Sequence, residues 1–179
     1  MPRFSLDEIR NRFSTSTDFN DLFDAFQDAL EQKIQDLEVY RLLFWNKSLS
    51  SDELCLFGEK LAMEFPPLAY EIFMWMASIF EATFSAYDNF ELAIEYYQKA
   101  AHARPSESDP YLDACDCYDP DLNIPPIDTL IDFLIRGSRT VKNKKPIYVR
   151  LSRMYEMVGD IDRSEYYRGL ADEIGKADE

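Results

Sequence analysis

The sequence predicts an all-helical chain, and three observations predict it. Apolar residues recur at steps of three and four along most of the 179 residues, the spacing of one helix face. Only five glycines occur, and no extended alternation of Val, Ile and Thr marks a strand. The prolines gather between the periodic stretches, at Pro66-Pro67, Pro105, Pro110, Pro120, Pro125-Pro126 and Pro146. A missing N–H and a clash with the preceding turn make such sites helix boundaries.

Thr17–Lys33 reads as the first helix, with Asp18 as its cap and Phe19, Leu22, Phe23, Phe26 and Leu30 along one face. Leu42, Trp45 and Leu49, followed by Cys55, Gly58, Ala62 and Phe65, make residues 36–67 a candidate degenerate helix pair. Leu68–Tyr87 is the most apolar stretch, but Glu71 and Glu81 interrupt it. No uncharged run reaches the roughly 18 residues of a membrane span, so this is expected to be a buried helix. Phe90, Ala93, Tyr97 and Ala100 form the next stripe, which Pro105 closes. Tyr111, Ala114, Cys115 and Tyr118 follow, then Ile127, Leu130, Leu134 and Gly137. The last two stripes are Tyr148, Leu151, Ser152 and Tyr155, and Ile161, Ser164, Arg168 and Ala171.

These stripes repeat one another. Ala93 to Leu130 is 37 residues and Leu130 to Ser164 is 34; Tyr111 to Tyr148 is again 37. Both helix types therefore place three extra residues between Tyr118 and Ile127, in Asp-Pro-Asp-Leu-Asn-Ile-Pro-Pro, a loop by composition. A 34-residue period of paired helices resembles the tetratricopeptide repeat (TPR), most closely over residues 90–175. Tyr155, Gly159, Ile161 and Ala171 fall where that family places its aromatic, turn glycine, bulky and small residues. Glu81 in a small-residue position, Asp88 for the turn glycine and Arg168 in an aromatic position depart from it.

The resemblance implies a short right-handed solenoid of helical hairpins with an extra N-terminal helical segment. The expected organisation is one domain over 1–179, with an N-terminal segment 1–35, the degenerate pair 36–67, and repeats 68–105, 106–145 and 146–175. It also implies a concave groove that binds segments of other proteins. On the first helix of each pair the groove stripe would hold Trp75, Ser78, Ala82 and Ser85, then Asp109, Leu112, Asp116 and Asp119, then Val149, Arg153 and Glu156. Those aspartates replace the Lys, Asn and Arg with which part of the family grips a C-terminal carboxylate. An acidic floor favours a partner with Lys or Arg, anchored by apolar contact near Trp75 and Leu112.

Charge is unevenly spread. With 34 acidic against 19 basic residues, the formal net charge is −15. Arg136, Arg139, Lys142, Lys144, Lys145, Arg150 and Arg153 nevertheless fall in one segment free of Asp and Glu, which carries +7 and leaves −22 elsewhere. This basic patch is either a solvated inter-helix loop with cations near a helix C-terminus, or a docking patch for an acidic protein or nucleic acid. Nucleic acid would bind there against the field of the rest of the chain. The patch of one subunit facing the acidic surface of another makes a homodimer a candidate state. Tyr166, Tyr167, Leu170 and Ile174 on the last helix are expected partly exposed, or packed on their own first helix.

No cofactor, metal or catalytic site is expected. Cys115 and Cys117 are too close for a zinc knuckle, and Cys55 is the third and last cysteine. Asp119, Asp121 and Asn123 mimic the opening of a calcium loop, but Ile124 and Leu130 occupy its glycine and glutamate positions. The single histidine, His102, and the lack of phosphate-loop, nucleophile-elbow and His-Glu-x-x-His motifs argue against an enzyme, an unrecognised hydrolase being the residual alternative. No signal peptide or membrane span is visible, and the few cysteines fit a cytoplasmic chain. The expected function is an adaptor or assembly factor. A client-specific chaperone of the secretion type is the alternative, and a nucleic-acid-associated regulator using 136–153 the second.

Overall fold

The computed structural model describes residues 3–83 and 88–177, with ten α-helices and no strand among them. They are α1 (Leu6–Thr15), α2 (Phe19–Glu31), α3 (Leu37–Phe44), α4 (Ser51–Glu64), α5 (Ala69–Ala82), α6 (Asp88–Ala103), α7 (Asp109–Asp116), α8 (Ile127–Thr140), α9 (Lys145–Met157) and α10 (Ile161–Ala177). A single 3-10 turn, Pro66–Leu68, leads into α5. None of the described helices is long and apolar enough to cross a membrane.

Helices pack as antiparallel neighbours in sequence, α1 on α2, α5 on α6, α7 on α8 and α9 on α10. Each pair then joins the next through one or both of two kinds of contact. First helices touch along one row (α1 on α3, α3 on α5, α7 on α9), and second helices touch the first helix that follows (α4 on α5, α6 on α7, α8 on α9). Such stacking buries one continuous core that no single pair could bury.

The start of the array is locally well specified. Ser5 and Glu8 cap α1 reciprocally: the Glu8 N–H donates to Ser5 Oγ at 3.3 Å, and the Ser5 N–H to Glu8 Oε2 at 2.7 Å. Ser50 and Glu53 do the same for α4, and Asp18 caps α2 as expected by accepting the Asp21 N–H at 3.0 Å. Buried Asp28 ties the N-terminus to α2 by accepting the N–H groups of Arg3 (2.9 Å) and Phe4 (2.7 Å) and the Gln32 amide (3.0 Å). Aromatic contacts then join α2 to α4, with Phe26 4.8 Å and Phe19 5.7 Å from the Phe57 ring.

The small residues read from the period are buried at helix crossings: Ala93, Ala100, Ser152 and Ala171. In α8 the corresponding residue is Gly137, and a Cβ there would lie 2.7 Å from Tyr111 Cδ1, so the Tyr111 ring occupies the space a side chain would need. Gly159, at φ 80°, turns the chain from α9 into α10, where the left-handed region suits glycine. Ser152 and Ser164 share a buried hydroxyl–hydroxyl hydrogen bond of 3.1 Å between those two helices.

The structure adds detail to three of these readings. The N-terminal segment contains two helices where the periodicity showed one; α1 buries only Ile9 and Phe13, too few to make a visible stripe. In α3 the core residues are Val39, Tyr40, Leu43 and Phe44, whereas Leu42 and Trp45 are 38% and 51% exposed. Their stripe belongs to the surface because Leu42 and Trp45 share the exposed face of α3 with Glu38 and Arg41. Arg168 is exposed and reaches Glu156 at 3.6 Å; its aromatic role falls to Tyr167, stacked on Tyr155 at 5.6 Å. Phe84 and Ser85 lie outside the described residues.

Candidate partner-binding face

The row of first helices forms a face with two differently built halves. In the first, α3 and α5 leave a cleft of about 290 Å³ lined by Arg41, Phe44, Trp45, Trp75, Ser78 and Ile79. A second hollow, about 570 Å³, continues past Arg41, Leu42 and Trp45 to the 14–17 and 46–48 segments. Asn46 fixes that floor, its amide donating to the carbonyls of Phe13 and Ser16 at 2.9 Å each. Of the expected groove residues, Trp75 is half-buried in the cleft wall and Ser78 lines the same cleft, while Ala82 is exposed one turn further on.

The second half is polar. On α7, Asp109 and Asp116 are exposed and Leu112 is half-buried; on α9, Val149 and Arg153 are exposed. Arg150 crosses from α9 to α7, donating to Asp116 Oδ1 at 2.6 Å and to the Leu112 carbonyl at 3.3 Å. This pair joins two features that the sequence kept apart, since it draws one cation out of the basic segment and neutralises one acid of the groove. Asp113 lies between Asp109 and Asp116. Burial, with the charges of Asp109, Asp116 and Glu81, pushes its carboxyl up to about 6 against a weaker pull from Arg150. Glu81 accepts the Tyr97 hydroxyl at 2.7 Å, which gives the out-of-pattern glutamate a partner in α6.

The rest of the basic segment is dispersed. Arg136 stacks over Phe133 at 5.5 Å, Arg139 ends α8, and Lys142 and Lys145 are exposed. Lys144 and Lys145 sit at the start of α9, where a helix dipole disfavours cations, so only Arg139 matches the expected terminal compensation.

The loop 118–126 uses its polar groups on itself. Asp119 Oδ1 accepts the N–H groups of Asp121 (2.9 Å) and Leu122 (3.1 Å), and Asn123 Oδ1 accepts that of Ile127 (3.2 Å). No three His, Cys, Asp or Glu side chains converge as a metal site among the described residues. Burial pushes the Cys115 and Cys117 thiols up to about 12, which keeps them protonated and poorly nucleophilic.

A further cleft of about 620 Å³ opens on the other side of α5, between α4 and α6, over Phe73 and Ala69. Met63, 79% exposed, stands at its rim, and Lys99 ties Glu59 on α4 to Glu95 on α6, the latter at 2.7 Å. The sequence did not point to Arg41, Phe44, Trp45 or Ile79 as lining this cleft. The one available signal was that α3, once its core positions are chosen, must turn Arg41, Leu42 and Trp45 outward together.

Solved structures share this architecture. A MamA structure (MSR-1) matches at 16% identity over 97% of this chain and 98% of its own, with a TM-score of 0.51. The fold is TPR-like. Another MamA structure matches at 18% identity over 94% and 88% of the two chains, TM-score 0.53. A thermophilic TPR protein of Thermus thermophilus matches at 16% identity over 87% and 82%, TM-score 0.50. No family model matches the sequence, and no curated protein does. The architecture shared with the first MamA structure covers 97% of this chain.

Proposed function

We propose that this chain is a protein-interaction module of the cytoplasm, an adaptor or assembly factor that holds a segment of a partner along the row of α1, α3, α5, α7 and α9. The observation that carries the reading is the trough beside α3. Leu42 and Trp45 are exposed next to half-buried Trp75 over two adjoining hollows, and exposed apolar surface lining a groove is where partners gain binding energy. The acids of α7 make a basic or mixed-charge partner the better match. The units of this reading are 1–35, 36–67, 68–105, 106–145 and 146–175 of one domain, and it calls for no cofactor. A chaperone for one client would use the same face and differs only in releasing its client to another protein. The nucleic-acid reading is weakened, because Arg150 is already engaged by Asp116.

The experiment is affinity capture from the native host with the wild-type chain and with Trp45→Ala, Trp75→Ala. A stoichiometric protein retained by the first and lost by the second, both remaining helical, supports the reading. Equal recovery by both refutes the assigned face, and nuclease-sensitive recovery favours the regulator.

A further inference from the structure

The two halves of the face differ in the chemistry they leave unsatisfied. The cleft between α3 and α5 has aromatic and aliphatic walls with Arg41 and Ser78 at its edge and, at about 290 Å³, falls below the roughly 300–1,000 Å³ that small-molecule ligands fill. It suits one large side chain. Beyond it, the charges of Glu81 on α5 and of Asp109 and Asp116 on α7 all act on Asp113. Two cations lie near, and both are committed: Arg150 to Asp116 at 2.6 Å and Arg104 to Glu71 at 2.7 Å. No Lys or Arg pairs with Glu81, Asp109 or Asp113 among the described residues. At the opposite end of the face stand Arg41 and Lys47, so the charge along it has a direction.

From this we infer that the face takes a partner segment with a large apolar side chain next to Lys or Arg, the apolar group entering between Trp45 and Trp75 and the cation reaching the free carboxylates of α7. The inference rests on the reading of this face as the partner-binding surface and adds the chemistry and orientation of what lies there. Aromatic walls around a desolvated pocket make an anchor site, and uncompensated carboxylates beside it favour a cation and penalise an acid. Binding is then coupled to protonation. Tyr70 and Glu81 from α5, Tyr97 from α6, Arg104 and Glu107 from the link to α7, Asp109 and Asp116 on α7 and Arg150 from α9 are the groups around Asp113. An arriving cation favours its ionised form, so capture tightens as pH rises through about 6.

A phage-displayed library of random 12-residue peptides, panned against the immobilised full chain, tests this. The expected outcome is enrichment of sequences with an aromatic or large aliphatic residue close to Lys or Arg. A labelled peptide of that kind should lose about tenfold in affinity with Trp45→Ala and again with Asp109→Asn, Asp113→Asn. Trp45 and Asp109 are exposed and Asp113 is half-buried, so these variants keep their core, and a cooperative melting curve no lower than that of the wild type verifies it. Enriched peptides that need Trp45 but are neutral or acidic overturn the inference and leave the partner-binding face standing. Peptides indifferent to Trp45, or no enrichment at all, overturn both. A dimer in sedimentation equilibrium that Trp45→Ala dissociates overturns the inference by making a second copy the occupant.

Discussion

The first four helices and the last four solve the same stacking problem with different materials. Between α1 and α4 the contacts are large rings, Phe19, Phe23 and Phe26 against Phe57 and Phe13 against Tyr40, and every helix start carries a side-chain cap, reciprocal in α1 and α4. Between α7 and α10 rings also meet, Tyr111 with Phe133 and Tyr155 with Tyr167, but close approaches at Gly137 and at Ser152–Ser164 join them, and α7, α8 and α9 start without a side-chain cap. Ring clusters dominate one end, and rings combined with close fit hold the other. The surface divides too, hollow and tryptophan-walled beside α3, acidic beside α7. A repeat architecture thus tolerates exchange of its packing chemistry provided each interface is filled.

That contrast is open to direct attack. Phe57→Ala should be the largest loss, about 3–5 kcal/mol in urea unfolding, because Phe19, Phe23 and Phe26 all lose their common neighbour. A cost under 1 kcal/mol would remove bulk as the basis of the first end. Gly137→Ala tests fit at the other end. Helix propensity favours the alanine by about 0.5–1 kcal/mol, but overpacking against the Tyr111 ring costs typically 1–3 kcal/mol. A net loss of stability is expected, and a net gain would mean the interface is slack.

Asp28→Ala leaves the Arg3 and Phe4 N–H groups without their acceptor, which should cost about 1–3 kcal/mol. Burial pushes the Asp28 carboxyl up, but the Arg3 and Phe4 N–H groups and the Gln32 amide together hold it below the usual range. Its contribution is therefore present above the unfolded value near pH 4 and is lost as pH falls further. Urea midpoints of wild type and variant should converge in acid.

Asp113→Asn is the smallest effect and has the opposite pH sense. A carboxyl raised to about 6 in the folded state stabilises below the unfolded value and loses that contribution as pH rises through 6. The variant should melt higher than wild type at pH 7.5 and alike at pH 4. With solvent screening the half-exposed group, the gain is about 1 kcal/mol or less, roughly 2–4 °C. No difference at pH 7.5 would show that the α7 carboxylates do not strain one another.

Much of this molecule was legible in its residue order, and the illegible parts have particular causes. The stripes at Ala93, Ala100, Leu130, Leu134, Ser152 and Ala171 point to buried crossings because helix packing imposes a period on residue size. Helix α1 escaped because two buried apolar residues make no period, although Ser5 and Glu8 spelled its start. The role of Trp45 as a groove wall was not legible because hydrophobicity alone does not tell a core residue from a groove wall.

The sequence by itself determined the helical class, the repeat of about 34 residues and the separation of charge between 136–153 and the remainder, because each is a property of residues near one another in the chain. Tertiary structure decided which aromatic faces solvent, which cation is already spent and which carboxylates stand free. Arg150 meets Asp116 across 34 residues, and Trp45 shares a cleft with Trp75 across two helices. Those contacts depend on the angle and separation of stacked helices, set by the summed packing of every side chain between them.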